Sequence, residues 1–163
     1  MKAFSAAAAA ARPVLLLGAP ALREVCSPCD KQNDGDLQAE MDALVATLQH
    51  FREQNGFGRG IAAPQIGVTK RFLAVDMGSG ARVLSNPTIS WRSEESFTLF
   101  DDCMSLPWLL CKVRRHSSIT VDFINEEGAA ETWERLPRPL SEVRVRLLRS
   151  SLRNIPSSPS AYE

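Results

Sequence analysis

The chain has 163 residues, with 19 basic and 19 acidic side chains, four cysteines and two histidines. That length fits one domain able to bury a core, and 44% hydrophobic with 23% charged residues is an ordinary globular composition. A formal net charge of zero gives no global reason to expect DNA or an acidic membrane as a partner, and His50 and His116 are too far apart for a His-x-x-x-His pair, which excludes a helical two-histidine metal site.

Residues 1–12 are a run of alanines with Lys2 and Arg12 and no acid. Two readings fit: a short organelle-targeting segment, or an N-terminal extension without a fold of its own. The expected compartment is therefore cytoplasmic, or mitochondrial or plastid if the extension is a targeting segment. The apolar run 14–17 is separated from the alanines by Arg12-Pro13, so the stretch is too short and interrupted to span a membrane. Cys26-Ser27-Pro28-Cys29 has the spacing of a redox or zinc half-motif. A zinc ribbon needs a second Cys-x-x-Cys, but Cys103 and Cys111 are eight positions apart. A redox pair needs a strand-to-helix setting, and Pro28-Cys29-Asp30 reads as a loop. Plain thiols are the expectation.

Residues 37–51 are predicted as a helix, because Leu37, Met41, Leu44, Val45, Leu48 and Phe51 fall on one face at helical period. Asp34 or Asp36 can cap its start, and Asn55-Gly56 ends it. His50 lies beside the stripe near the helix end and is expected at the surface. A glycine-rich stretch, 56–67, precedes a strand over 71–76 and a Gly78-Ser79-Gly80 turn. Residues 83–85 and 88–91 read as two short extended pieces around Asn86-Pro87. Lys112 to Arg115 lead into His116 in what reads as a strand. Ile119, Val121 and Phe123 alternate with polar residues, and Glu127-Gly128 turns the chain into 130–133, which reads as a β-hairpin. One helix followed by antiparallel strands makes an α+β domain. From Arg135 onward, six arginines face Glu142 and Glu163, a net +4 that leaves −4 on the residues before. Residues 156–160 form a Ser/Pro tail of disordered character. The basic tail invites an RNA-binding reading, but Tyr162 is its sole aromatic.

Two stretches carry candidate chemistry. In Gly58-Arg59-Gly60-Ile61-Ala62-Ala63-Pro64-Gln65, close glycines and small alanines let a backbone approach a ligand. A dinucleotide loop would follow a strand and have a third glycine where Ala63 stands. Gln65 alone would be a structural amide. In Asp101-Asp102-Cys103-Met104-Ser105-Leu106-Pro107, the cysteine is open to three readings: metal ligand, nucleophile or core thiol. A nucleophile needs a basic partner, and acids flank this one.

Together and in this order, the two stretches resemble the peptide deformylase family. The first motif, G-x-G-x-A-A-x-Q, is matched by Gly58, Gly60, Ala62, Ala63 and Gln65. The second, E-G-C-x-S, is matched at Cys103 and Ser105, with Asp101 in place of Glu and Asp102 in place of Gly. The resemblance spans residues 13–142. It divides the chain into an Ala-rich extension (1–12), a deformylase-like domain (13–142) and a divergent basic tail (143–163).

The resemblance implies an α+β metal-dependent hydrolase that removes the formyl group from the N-terminal formyl-methionine of new polypeptides. It implies a divalent metal, iron or zinc, held by one cysteine and two histidines. It also implies an N-formyl-methionyl peptide as substrate and work near the ribosome. Cys103 falls on the metal-ligand position. Gln65 and the backbone N–H of Met104 fall on the two donors to the oxyanion, and Gly58, Gly60 and Asp102 on the substrate-binding side. The third motif, H-E-x-x-H on a late helix, is expected shortly after Leu140-Ser141-Glu142, where the chain instead reads Val143-Arg144-Val145-Arg146. The late metal-binding helix is therefore expected to be lacking, and the metal to be unbound by this chain. The abrupt end of the match points to a tail drawn from an alternative reading frame or splice, or from a mispredicted gene. Two outcomes follow: a deformylase-family chain without turnover, or a non-catalytic peptide- or RNA-binding module on that fold.

Overall fold

The computed structural model describes residues 9–138. They hold one long helix and seven strands, and every pairing between those strands is antiparallel. Helix α1 (Leu37–Asn55) is followed by β1 (Gly60–Ala62), β2 (Phe72–Asp76), β3 (Ala81–Arg92), β4 (Ser96–Cys103), β5 (Leu106–His116), β6 (Ile119–Ile124) and β7 (Ala130–Leu136). Five strands form one sheet in the order β1-β2-β3-β6-β7, and β4 and β5 pair separately. The α+β expectation holds. The expected lack of a late helix concerns residues outside those described, and residues 1–8 and 139–163 also lie outside them.

Helix α1 continues past the apolar stripe and ends, as expected, at Asn55-Gly56, where a φ of 74° suits a glycine at a left-handed cap. Its start is a correction. Asp36 occupies the cap position without a side-chain cap bond, and Asp34 instead pairs with Lys70 at 2.7 Å. The lysine also reaches Glu40 at 2.5 Å, so the carboxylates are drawn to a cation rather than to the helix N–H groups. The predicted stripe is buried from Leu37 to Leu48, against Ile61, Phe72, Ala74 and Val83 of the sheet. Each such side chain contributes roughly 1.5–3 kcal/mol by leaving water. Leu73, Val75 and Leu84 alternate with that set and, with Val121 and Phe123 of β6, fill a second cluster against Trp133.

The two short pieces predicted around Asn86-Pro87 are one strand, β3. The proline is tolerated because the β3–β6 register shifts between Ser85 and Thr88, so no ladder bond is asked of it. Asn86, at φ 48°, turns its carboxamide onto the Cys29 peptide. Its Oδ1 accepts from the Cys29 N–H at 2.8 Å and its Nδ2 donates to the Cys29 carbonyl at 2.9 Å. The loop over 28–30 is thereby fastened to the sheet. The hairpin predicted from Ile119 is β6–β7, and it extends to Leu136. Sequence reading missed β1 and β4, and saw only the end of β5.

Replacing Asn86 with Ala removes both partners of a part-buried peptide. Urea unfolding should show a loss of about 1–3 kcal/mol. A loss within error would mean that solvent replaces both bonds.

Candidate functional site

The first motif is built as a strand and a tight turn. Residues Gly60–Ala62 form β1 at the edge of the sheet, and Ala63–Ile66 make a 3-10 turn closed by Gly67 at φ 80°. The turn aims the Gln65 side chain back along the chain. Its Oε1 accepts the Ala62 N–H at 2.9 Å, which leaves Nε2 directed away from β1. An N–H donor at Ala62 admits only the carbonyl oxygen there, so the orientation of the amide follows from the hydrogen bond itself. Nε2 then donates to Ser105 Oγ at 3.1 Å and to Cys103 Sγ at 3.8 Å. Gln65 and Ser105 are both buried, and Cys103 is half-buried. The two motifs, far apart in sequence, therefore meet at one carboxamide.

The second motif lies at the end of β4 and the turn into β5. Cys103 faces Leu106 across the turn, and the ladder breaks between Asp101 and Cys103. Asp101 pairs with Arg115 on β5 at 2.5 Å. The guanidinium is almost fully buried, so this aspartate serves as its counter-charge and is not a free acid. Asp102 points to the exposed side. Met104 is buried in the main core under Gly58. A Cβ at Gly58 would come within 2.8 Å of Met104 Cε and 3.1 Å of Phe51 Cδ1, and its φ is +116°. Glycine is suited to this position chiefly by that backbone conformation, with the Phe51 ring and the Met104 methyl close beside it. That reason is separate from the close approach of a ligand foreseen for it. Gly60 pairs with Val75 in the β1–β2 ladder.

A further element was invisible in the sequence. The Leu15 N–H donates to the Gln65 carbonyl at 2.8 Å, and the Leu17 N–H donates to the Ser105 carbonyl at 2.9 Å. The segment that enters the domain straps the two motifs together through main-chain bonds. These bonds leave no residue-type signature. Ser105, quoted only as part of a motif, is the acceptor that holds the Gln65 amide.

The donors for a metal do not assemble here. Among the described residues no group of three or more His, Cys, Asp or Glu side chains is placed to hold an ion. His50 is exposed on α1. His116 faces Ser96 at the far end of the hairpin, with its Nδ1 at 2.7 Å from the Ser93 carbonyl oxygen. At ~3.3 Å per strand residue it lies roughly 20 Å along β4 from Cys103. One half-buried thiol remains from the ligand set that the family resemblance implies, and the described residues do not fit that metal. The other cysteine pair is equally unsuited to chemistry. Burial pushes the Cys29 thiol up to about 11, and Cys26 is also raised, chiefly by burial. All four cysteines are free thiols.

A model of the polypeptide deformylase family matches residues 11–136. The chain belongs to that family. The peptide deformylase of Bartonella tribocorum is 34% identical over 130 residues, covering 76% of this chain and 70% of the relative. That of Thermotoga petrophila is 30% identical over 115 residues, and the match covers 71% of this chain and 66% of that protein, just under two thirds of its length. Among solved structures, the Thermotoga maritima peptide deformylase superposes with a TM-score of 0.75 at 27% identity, covering 87% of this chain and 94% of that one. A class I type b peptide deformylase from Acinetobacter baumannii, bound to Met-Ala-Ser, gives a TM-score of 0.70 at 26% identity, covering 88% and 96%. Within this deformylase fold, no helix among the described residues is long and apolar enough to cross a membrane.

Two outcomes are expected. Asp101→Ala strands a buried guanidinium and should cost about 3–5 kcal/mol in chemical denaturation, whereas Asp101→Leu with Arg115→Leu should cost much less. A double variant as unstable as the single one would show that packing, and not charge, is what Asp101 supplies. In native protein at neutral pH, Cys29 should alkylate far more slowly than a free thiol, and its rate should rise with pH toward about 11 as the thiolate forms. Peptide mapping after iodoacetamide would read this directly.

Proposed function

We propose that this chain is a deformylase-family protein that keeps the formyl-peptide-recognising half of the site and does not turn over substrate. The single observation that carries the reading is the fixed Gln65 carboxamide, with Nε2 turned to Cys103 and Ser105 and Oε1 committed to Ala62. In the proposal, that Nε2 and the backbone N–H of Met104 donate to the formyl oxygen. Preorganised donors of this kind are each worth about 3 kcal/mol toward a developing oxyanion, and much less toward a neutral carbonyl. Binding of the ground state therefore survives where hydrolysis does not.

The peptide backbone of the ligand would lie along the outer edge of β1, which pairs only with β2 in its sheet. Gly60 leaves that edge open to close approach, while Gly58 keeps the loop before it packed under Phe51 and Met104. Asp102, exposed beside Cys103, would face the N-terminal end of the peptide. The A. baumannii neighbour holding Met-Ala-Ser supports a peptide ligand for the same fold. Hydrolysis requires a nucleophilic water and a group to move its proton. The chain's two histidines are His50, exposed on α1, and His116, which lies at the far end of the β4–β5 ladder from Cys103 with its Nδ1 at the Ser93 carbonyl.

The proposed partition is a domain over 13–142 with extensions on either side; the family match covers 11–136. Work near the ribosome would follow from the substrate. The alternative, RNA contact through 143–163, rests on residues outside those described.

Titration of the 163-residue chain with a formyl-methionyl peptide in chelator-treated buffer should give saturable binding and no formate. Gln65→Leu should weaken the formylated peptide toward the affinity of its unformylated counterpart. Chelator-sensitive release of formate would overturn the claim of inactivity. Equal binding of both peptides to the parent chain would overturn the recognition role of Gln65. Binding of RNA without peptide would favour the alternative.

A further inference from the structure

The β4–β5 ribbon has two different faces. Phe97, Leu99 and Asp101 on β4 share one with Arg115, Val113 and Cys111 on β5, while Thr98, Phe100, Lys112 and Arg114 stand exposed on the other. On the first face Arg115 sits opposite Phe97, and Asp101 sits opposite Cys111. The two members of the ion pair are therefore four register positions apart, roughly 13 Å at ~3.3 Å per residue, with Leu99 and Val113 between them. Yet Arg115 Nη2 donates to Asp101 Oδ2 at 2.5 Å. The arginine has to lie along the ribbon, close to full extension, to make that bond. Its side chain is 3% exposed. It is a strut from the base of the ribbon toward its turn, and not a local cross-strand pair.

The strut ends where the regular ladder gives out. Asp101 with Cys111 is the last pair before the register break, and Cys103, Met104 and Ser105 lie beyond it. Ser105 accepts from Gln65 Nε2, so a shift of this turn moves the group that holds the amide. We infer that Arg115 is a positioning residue for the Gln65 clamp. Acting through Asp101, it sets where the turn with Cys103 and Ser105 sits, and the combined length of the two side chains decides the setting. The strut is also one bond short. Arg115 Nε is buried with no hydrogen-bond partner among the described residues. An extended aspartate meets only the tip of the guanidinium. A carboxylate one methylene longer, as the E-G-C-x-S motif has at this position, can lie alongside Nε and Nη2 together, the side-on fork of a bidentate pair. Asp101 leaves the turn on a single, length-dependent contact.

The full chain labelled with 15N-glutamine tests this through the side-chain amide signals of Gln65, assigned by their loss in Gln65→Leu. Arg115→Lys keeps the charge and shortens the arm. The Gln65 signals should then shift or broaden, and affinity for a formyl-methionyl peptide should fall by about tenfold, as for one lost charge-assisted bond. Adding Asp101→Glu to that variant restores length and should return both signals and affinity toward the parent values. Asp101→Glu alone should change the Gln65 signals, sharpening them, and bind the peptide at least as tightly as the parent. A cooperative urea transition checks the fold of each variant. If Arg115→Lys does not fold, Asp101→Glu decides alone, and Gln65 signals identical to those of the parent would overturn the inference. So would an Arg115→Lys chain with unchanged signals and affinity, or a double variant no better than Arg115→Lys. The affinity readout rests on the peptide recognition proposed above, whereas the amide signals do not. A parent chain that binds no formyl peptide would overturn that recognition, and the amide signals would then decide the role of Arg115 by themselves.

Discussion

The site depends on one carboxamide having no freedom. Gln65 is buried, so each of its polar atoms must find a partner or incur a desolvation cost of roughly 1–3 kcal/mol. The Ala62 N–H fixes Oε1, and that choice fixes where Nε2 points. The 3-10 turn, the edge position of β1 and the approach of Ser105 are all arranged around this pair of bonds. A free amide could rotate and would serve as donor or acceptor. A clamped one offers only N–H groups toward Cys103, which suits a carbonyl or an oxyanion and rejects a cation.

That clamp is held from three directions. The strap at Leu15 and Leu17 joins the carbonyls of Gln65 and Ser105. The Asp101–Arg115 pair anchors β4 to β5 just before the cysteine. Gly58 lets Met104 and Phe51 close over the loop from the side of α1. None of these contacts involves His50 or His116. The geometry of the clamped amide is consequently built without either histidine.

Much of this was legible in the sequence where a period or a motif spoke. The stripe from Leu37 to Phe51 announced α1 because its six apolar positions share one face only at helical period. Gln65 and Cys103 were found through motif order, not through any local property. Other parts were silent for physical reasons. Asn86-Pro87 reads as a break, yet the β3–β6 register skips the positions where a proline would fail. In β4, Phe97 and Leu99 alternate with polar residues, but Phe100 spoils the pattern by standing exposed on the face of Thr98, Lys112 and Arg114. Gly58 looked like a ligand-binding glycine, and its crowding by Met104 is a tertiary fact. Main-chain bonds such as those of Leu15 and Leu17 can be made by nearly any residue, so composition cannot reveal them.

The strap also orders events in time. Leu15 and Leu17 belong to the first part of the domain to be made, while Ser105 comes nearly ninety residues later. During vectorial synthesis the strap has nothing to bind until the β4 turn has emerged. Contacts of such long sequence separation carry a large loop-closure cost and form late. The fixed Gln65–Ser105 geometry is therefore a property that arrives last, after the helix and the central strands have already packed.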